Sequence, residues 1–191
     1  MNLLLDINHP AYAHAFRCFI TEMKKKDHKC LTFARDKDIT LYLLDAWNIP
    51  YHNKGKGRSN LFLKMLDTIK AVLYIYRVSR KFKPDFVLSY SSYQAAITGW
   101  LLRIPVLTFE DTENVSLLHQ INIFFSTRII TPSCYQGNFG NKHIRFNGYK
   151  ELSALHPRHF TPEPSVQPKN PYILFRFVGW QAWHDRGHSG I

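Results

Sequence analysis

The chain has 191 residues, 45% of them hydrophobic, and a formal net charge of +11 from 25 Lys and Arg against 14 Asp and Glu. That size fits one full domain plus part of another, and the charge calls for an anionic partner (a nucleotide, a phospholipid surface or nucleic acid) unless it is solvated surface charge. Cys18, Cys30 and Cys134 form no CxxC pair, which excludes a zinc ribbon or disulfide framework, and Lys64, Asp67, Lys70, Arg77 and Arg80 interrupt the most apolar stretch too often for a membrane span.

Leu3-Leu4-Leu5 reads as a central strand of a parallel sheet, apolar on both faces. Pro10 biases Asn8 and His9 towards extended geometry, so a polar loop is expected there. A helix follows from Ala13, with Phe16, Phe19, Ile20 and Met23 at i, i+3, i+4 and i+7. His9 and His14 therefore lie just beyond the carboxyl end of a strand, where open α/β sheets bind ligands and a helix N-terminus favours anions.

Cys30–Ala34 reads as a second strand, and Asp36-Lys37-Asp38 as the N-cap region of a helix ending near Trp47. Tyr51-His52 reads as a short third strand. Lys54-Gly55-Lys56-Gly57-Arg58-Ser59-Asn60 is basic and glycine-spaced, but it lacks the terminal Lys-Ser/Thr of a P-loop. The helix over about Asn60 to Phe82 has an apolar stripe wider than one sheet face needs, flanked by Lys64, Lys70, Arg77, Arg80 and Lys81. It is either an interfacial helix on anionic lipid or a long core helix with a solvated face.

Phe86-Val87-Leu88 is a strand ending in Ser89-Tyr90-Ser91-Ser92-Tyr93, whose small hydroxyl residues let backbone approach a ligand. A helix over Tyr93 to Leu102 and the strand Val106–Phe109 follow. That strand ends in Glu110-Asp111-Thr112-Glu113-Asn114, three carboxylates in a basic chain. Capping of the next helix by Asp111 or Thr112, with Glu113 in its first turn, accounts for those residues but not for Glu110. A helix to about Phe125 and the strand Arg128–Thr131 complete the alternation. It has no hairpin signal, so the expected fold is α/β: a Rossmann-like, doubly wound parallel sheet over residues 1–150. Residues 151–170 are polar and proline-rich, hence a linker. Residues 171–191 begin with Tyr172–Val178, read as the first strand of a second domain that is not completed.

With these segments laid out, the chain resembles the GT-B glycosyltransferase and UDP-GlcNAc 2-epimerase superfamily. Within it, the resemblance is strongest to a family of glycosyltransferase-like proteins classed as a domain of unknown function. Asp6-Ile7-Asn8-His9-Pro10-Ala11-Tyr12-Ala13-His14 is similar to that family's DIxHPAHxHF opening, with Tyr12 in place of a histidine. Ala34–Asp38, Phe109–Glu113, Phe146–Tyr149 and Leu152–Pro157 match further motifs. A more distant similarity is to the lipid II-forming N-acetylglucosaminyltransferase. There Ser89–Tyr93 resembles a GFGGY-type loop with serines for glycines, and Phe109–Thr112 resembles a HEQN-type turn.

The resemblance implies the N-terminal, acceptor-side half of a GT-B fold, with a nucleotide-sugar donor and a glycan or lipid-linked acceptor as partners. His14 and Glu110 are then the catalytic candidates. His9, Ser91, Ser92, Asp111, Thr112, Glu113 and Asn147 are the substrate-binding candidates. A neutral imidazole suits His14 to proton removal from a sugar hydroxyl, the alternative being a helix-start histidine bonded to backbone. Val178-Gly179-Trp180-Gln181 lacks the glycine-rich phosphate loop of a donor half, so the chain is expected to be inactive alone, as a fragment or a truncated product. Half of a UDP-sugar 2-epimerase and a non-catalytic membrane-surface or nucleotide-binding module are the alternatives. No cofactor, metal or nucleic acid is expected; His184 and His188 share i, i+4 spacing, but nearby glycines disfavour a metal-binding helix. Without a signal peptide before Leu3, a cytoplasmic location is expected, peripheral on the inner face of the membrane.

Overall fold

The computed structural model describes residues 1–57, 61–113, 117–163 and 170–175. The leucine run lies within β1 (Asn2–Ile7), and Leu3, Leu4 and Leu5 are all buried because helices cover both faces of that strand. Beside β1 lie β2 (Lys29–Ala34) and β4 (Phe86–Tyr90), with β3 (His52–Asn53) outside β2. β5 (Val106–Phe109), β6 (Arg128–Pro132) and β7 (His143–Phe146) extend the sheet beyond β4. The order β3-β2-β1-β4-β5-β6-β7 is parallel throughout, which is the expected Rossmann-like α/β sheet.

Strand alternation divides the core. Leu3, Leu5, Ile7, Leu88 and Tyr90 pack with Phe16 and Ile20 of α1 (Pro10–Lys25) and Leu44 of α2 (Thr40–Ala46). Leu4, Phe33, Val87 and Val106 face the other way. They meet Ile75 of α3 (Leu61–Phe82) and Ala95 and Ala96 of α4 (Tyr93–Leu102), with Phe125 of α5 (Leu117–Phe125) alongside. The winding reverses between β1 and β4, neighbours in space that the chain joins only after β2, β3 and α3. That reversal opens a crevice at the carboxyl ends of the strands.

Gly99 sets the close approach of α4 to the sheet, since a Cβ there would lie 2.3 Å from Val106 Cγ2 and 3.0 Å from Val87 Cγ2. Gly99→Ala is expected to destabilise by about 1–3 kcal/mol through overpacking, outweighing the ~1 kcal/mol that alanine gains in a helix. The urea midpoint checks this; an unchanged or raised midpoint would mean that both valines yield at little cost.

Several boundaries differ from the sequence reading. α1 begins at Pro10, three residues before Ala13. α2 begins at Thr40, and its N-cap is Ile39 without a side-chain bond rather than an aspartate of 36–38; Asp38 instead holds a positive φ of 49°. The third strand is His52–Asn53. β7 was not expected: four residues with no fully buried side chain, reached from β6 through the short 3-10 turn Gly140–Lys142, give a weak pattern.

The expected linker contains α6 (Leu152–Leu155), which packs on α1. Tyr172 to Phe175 are not in a strand and are 66% to 83% exposed. The remainder of that expected strand, Trp180, Trp183, His184 and His188 lie outside the described residues.

Candidate functional site

Pro10 starts α1 because its missing N–H falls where a helix has no internal partner and its fixed φ suits the first turn. The extended geometry that it imposes on His9 (φ −153°, ψ 148°) is that of an N-cap, and Ala11 N donates to His9 Nδ1 at 3.2 Å. His9 thus caps the helix through an unprotonated ring nitrogen. Burial, then Lys37, hold its pKa below the usual histidine value, with Asp38 opposing. A group with a lowered pKa binds fewer protons folded than unfolded. Its contribution is therefore complete above the ordinary histidine pKa and is lost as pH falls through the lowered one. His9→Asn keeps a cap that does not titrate, and is expected to flatten the fall of Tm between about pH 7 and pH 5. An identical slope in both proteins would assign that fall to other groups.

Behind this loop is a buried ionic network. Asp6, on β1, is fully buried and lies 2.5 Å from Lys54 Nζ, which is itself 2% exposed. Lys54 Nζ also donates to Asn8 Oδ1 at 2.7 Å and Gln94 Oε1 at 3.2 Å. Ser92 Oγ and Asn8 Nδ2 donate to Asp6 Oδ2 at 2.5 Å and 3.2 Å. Burial pulls the Lys54 pKa down, while Asp6 opposes it by charge and by hydrogen bonding. One carboxylate and one ammonium thus tie together the loops after β1, β3 and β4. The basic loop that fails as a P-loop contributes this internal anchor, which periodicity and motif spacing gave no means of finding.

Ser91 and Ser92 have distinct tasks. Ser91 adopts a positive φ of 44°, the glycine-favoured region, in the loop where the resemblance expects glycine. Its Oγ donates to Glu110 Oε1 at 2.6 Å, which anchors the unusual conformation. Ser92 is the N-cap of α4, accepting from Ala95 N at 3.3 Å while donating to Asp6. Glu110 is 1% exposed; Oε1 also accepts from Asp111 N at 3.3 Å, and Oε2 lies 2.9 Å from His119 Nδ1 of α5. Both Glu110 oxygens are engaged, so it couples the ends of β4 and β5 to α5. His119 was missed because a lone histidine in an apolar helix carries no distinguishing pattern.

Beyond Glu110 the acidic turn is held by tertiary partners. Asp111 pairs with Lys150, and Gln136 N donates to Glu113 Oε1 at 2.9 Å. Tyr135 Oη donates to the Thr112 carbonyl at 3.4 Å. Lys150 Nζ also stands 5.8 Å from the centre of the Tyr12 ring, which stacks on Tyr90 at 4.7 Å, and Tyr90 stacks on Phe109 at 5.0 Å. None of residues 111–113 is helical, so the expected capping by Asp111 or Thr112 with Glu113 in the first helical turn is not what the structure shows; tertiary partners hold these residues instead.

On the α1 face of the sheet, a cleft of about 460 Å³ is lined by Phe16, Tyr90, Phe109, Asn147, Lys150 and His156, among others. Asn147 is exposed at its edge. His14 is exposed on α1, its ring 4.9 Å from that of Trp47, and it lines a smaller crevice of about 220 Å³ with Lys150, Glu151 and Leu155. The fold therefore brings Ser91, Ser92, Glu110 and Asp111 together at one edge. His9 and His14 stand on the α1 side, while the Glu110 carboxylate lies on the α5 side. Among the described residues, no group of three or more His, Cys, Asp or Glu is placed to hold a metal ion.

No family model matches the chain. Over 139 residues, 69% of the chain and 39% of the relative, it is 24% identical to the UDP-N-acetylglucosamine--N-acetylmuramyl-(pentapeptide) pyrophosphoryl-undecaprenol N-acetylglucosamine transferase of Wolbachia pipientis wMel. A 60-residue stretch, 30% of the chain and 16% of the relative, is 40% identical to the enzyme of the same name from Anaeromyxobacter sp. (strain Fw109-5). Among solved structures, MurG of Acinetobacter baumannii matches with a TM-score of 0.57 at 15% identity, over 69% of this chain and 40% of that one. The UDP-GlcNAc 2-epimerase of Neisseria meningitidis, bound to UDP-GlcNAc, matches with a TM-score of 0.56 at 16% identity and the same coverage.

The class is therefore a Rossmann-like α/β domain of the GT-B type. Its sequence relatives are N-acetylglucosamine transferases of that one name, and its fold is shared with solved MurG and UDP-GlcNAc 2-epimerase structures over about 69% of the chain, consistent with the N-terminal half of that fold. The chain spans 39% of the length of the first curated relatives it matches.

Proposed function

We propose that this chain is the acceptor-side domain of a nucleotide-sugar-dependent glycosyl transfer enzyme whose acceptor is lipid-linked. The observation that carries this reading is the meeting of the loops after β1, β4 and β5 with the segment after β7 at one sheet edge, beside the β1/β4 reversal. The curated relatives named above transfer N-acetylglucosamine to a pyrophosphoryl-undecaprenol acceptor, which favours transfer over epimerisation; the fold matches do not separate the two. In this reading residues 1–150 form the acceptor domain, and the chain from about residue 171 leads into a donor-binding half.

His14 is the proposed base for the acceptor hydroxyl, and Glu110 acts through Ser91, whose conformation it fixes. His9, Ser92, Asp111, Thr112, Glu113 and Asn147 shape the acceptor-binding edge. Calorimetric titration should show binding of a water-soluble, short-chain prenyl pyrophosphoryl sugar, with neither binding nor turnover of UDP-GlcNAc by the chain alone. Binding or turnover of UDP-GlcNAc without acceptor affinity would overturn the assignment and favour the epimerase reading.

The same reading places the domain on an anionic membrane surface. Ala71, Val72, Ile75 and Ser79 of α3 are buried, whereas Met65, Leu66, Ile69 and Leu73 are exposed beside the basic residues of the helix. Among the described residues no helix is long and apolar enough to cross a membrane, so the proposed attachment is peripheral. Sedimentation with anionic but not zwitterionic vesicles, weakening as salt rises, is the expected behaviour.

A further inference from the structure

We propose that His119 is a positioning residue of the candidate site: through Glu110 it holds Ser91 in the left-handed conformation. Side chains thereby secure a turn into α4 that a glycine would adopt unaided. The inference rests on the acceptor-edge reading above and adds a residue of α5 to it. Six non-glycine residues among those described have a positive φ. Asp27, Asn48, Lys83 and Arg103 lie just past the ends of α1, α2, α3 and α4, where a left-handed residue is an ordinary helix stop. Asp38 belongs to a residue type that tolerates this region. Ser91 follows a strand and precedes the N-cap of a helix, so no helix end accounts for its φ of 44°.

Such a conformation persists only where neighbouring groups over-determine it. On the strand side, Tyr90 is fixed by stacking on Tyr12 and Phe109. On the helix side, Ser92 caps α4 and donates to Asp6. Between them Ser91 N donates to the Phe109 carbonyl at 3.2 Å, and Ser91 Oγ donates to Glu110 Oε1 at 2.6 Å. The second bond is charge-assisted, and it depends on where the carboxylate points.

His119 sets that direction. Glu110 N donates to the Ile130 carbonyl at 2.9 Å, which pins the backbone and leaves the side chain to its own partners. Apart from Ser91, these are Asp111 N, 3.3 Å from Oε1, and His119 Nδ1, 2.9 Å from Oε2. Among the described residues no lysine or arginine pairs with Glu110, so the imidazole is the group that can offset a carboxylate only 1% exposed. His119 is itself well placed. Thr108 Oγ1 and Ser126 Oγ, 2.7 Å apart, tie the end of α5 to β5, and the Phe139 ring lies 6.2 Å from the imidazole. Without the imidazole the buried carboxylate turns away or takes up a proton, and Ser91 loses its anchor.

The test compares His119→Leu, His119→Asn and Ser91→Gly/His119→Leu in the full chain. Two quantities are read: the Cα and Cβ chemical shifts of residue 91, which report the sign of φ, and the calorimetric affinity for the short-chain prenyl pyrophosphoryl sugar. Leucine keeps the bulk of the imidazole and removes its N–H, whereas asparagine can present an N–H near the place of Nδ1. His119→Leu is expected to move Ser91 out of the left-handed range and to weaken acceptor binding by about tenfold, as a turn loses its anchor. His119→Asn should stay close to the parent in both readouts. Glycine holds a positive φ without help, so Ser91→Gly/His119→Leu should regain most of the affinity lost in His119→Leu. A merely structural histidine predicts no such recovery, because a change at residue 91 fills no gap and restores no bond in α5. Left-handed shifts for Ser91 in His119→Leu, or no recovery in the double variant, would overturn the positioning role. If His119→Leu does not fold, Glu110→Gln and Ser91→Gly/Glu110→Gln break the same link from its other end and carry the same expectation. No acceptor binding by the unaltered chain would instead remove the acceptor reading, and the Ser91 shifts would then decide the positioning role by themselves.

Discussion

Lys54→Met is expected to destabilise the chain by about 3–5 kcal/mol, because it leaves the Asp6 carboxylate buried without its countercharge. Asp6 has no exposure with which to recover hydration, and Ser92 and Asn8 supply hydrogen bonds but no charge. The same substitution removes the donor that holds Asn8 and Gln94 together, so the loops after β1 and β4 lose their common anchor. Asp6→Asn/Lys54→Met deletes both charges and should recover much of the loss, since the large cost belongs to the unpaired ion. Urea unfolding of the two single variants and the double variant measures this directly. A Lys54→Met variant within about 1 kcal/mol of the parent, with no coupling in the double-mutant cycle, would show that water reaches Asp6 and that the pair is not an anchor.

If His14 is the base proposed above, His14→Ala is expected to lower kcat by about 10²- to 10⁴-fold, the usual contribution of a positioned general base, measured in a protein where this chain is joined to a donor-binding domain. The stability change should stay within about 0.5 kcal/mol, because the side chain is exposed and packs mainly on the edge of Trp47. The kcat–pH profile should lose its acid limb if the neutral imidazole takes the acceptor proton. A fall in activity matched by a fall in folded fraction would make His14 a packing residue of the α1–α2 contact. An intact acid limb in the variant would place the base elsewhere at the edge.

The resemblance and the chain pattern agree with the structure where local chemistry governs. Leu3–Leu5, the stripe Phe16–Phe19–Ile20 and the strand Val106–Phe109 are legible because burial on both faces, or on one, imposes its own periodicity. α1 starts at Pro10 and not at Ala13, because the proline that sets an extended Asn8-His9 also opens the helix. At the first helical position its missing N–H costs nothing, and the extended residue before it is the cap that the helix needs. β7 escaped notice because its four residues leave no fully buried side chain from which a pattern could be read.

The linear order of residues determined the parallel α/β class, the alternation of strands and helices from β1 to β6, and the strand ends that Ser91, Ser92, Glu110 and Asp111 follow. Each follows from side-chain periodicity and from turn chemistry within a few residues. Tertiary structure alone decided that Lys54 reaches Asp6, that His119 faces Glu110, that Lys150 takes Asp111, and that α3 leaves Met65, Ile69 and Leu73 exposed. These partners lie 48, 9 and 39 positions apart in sequence. Charge pairing across such spans has no period to read. Its outcome depends on which groups the closed sheet removes from water, and the sheet settles that only once its strands are in register.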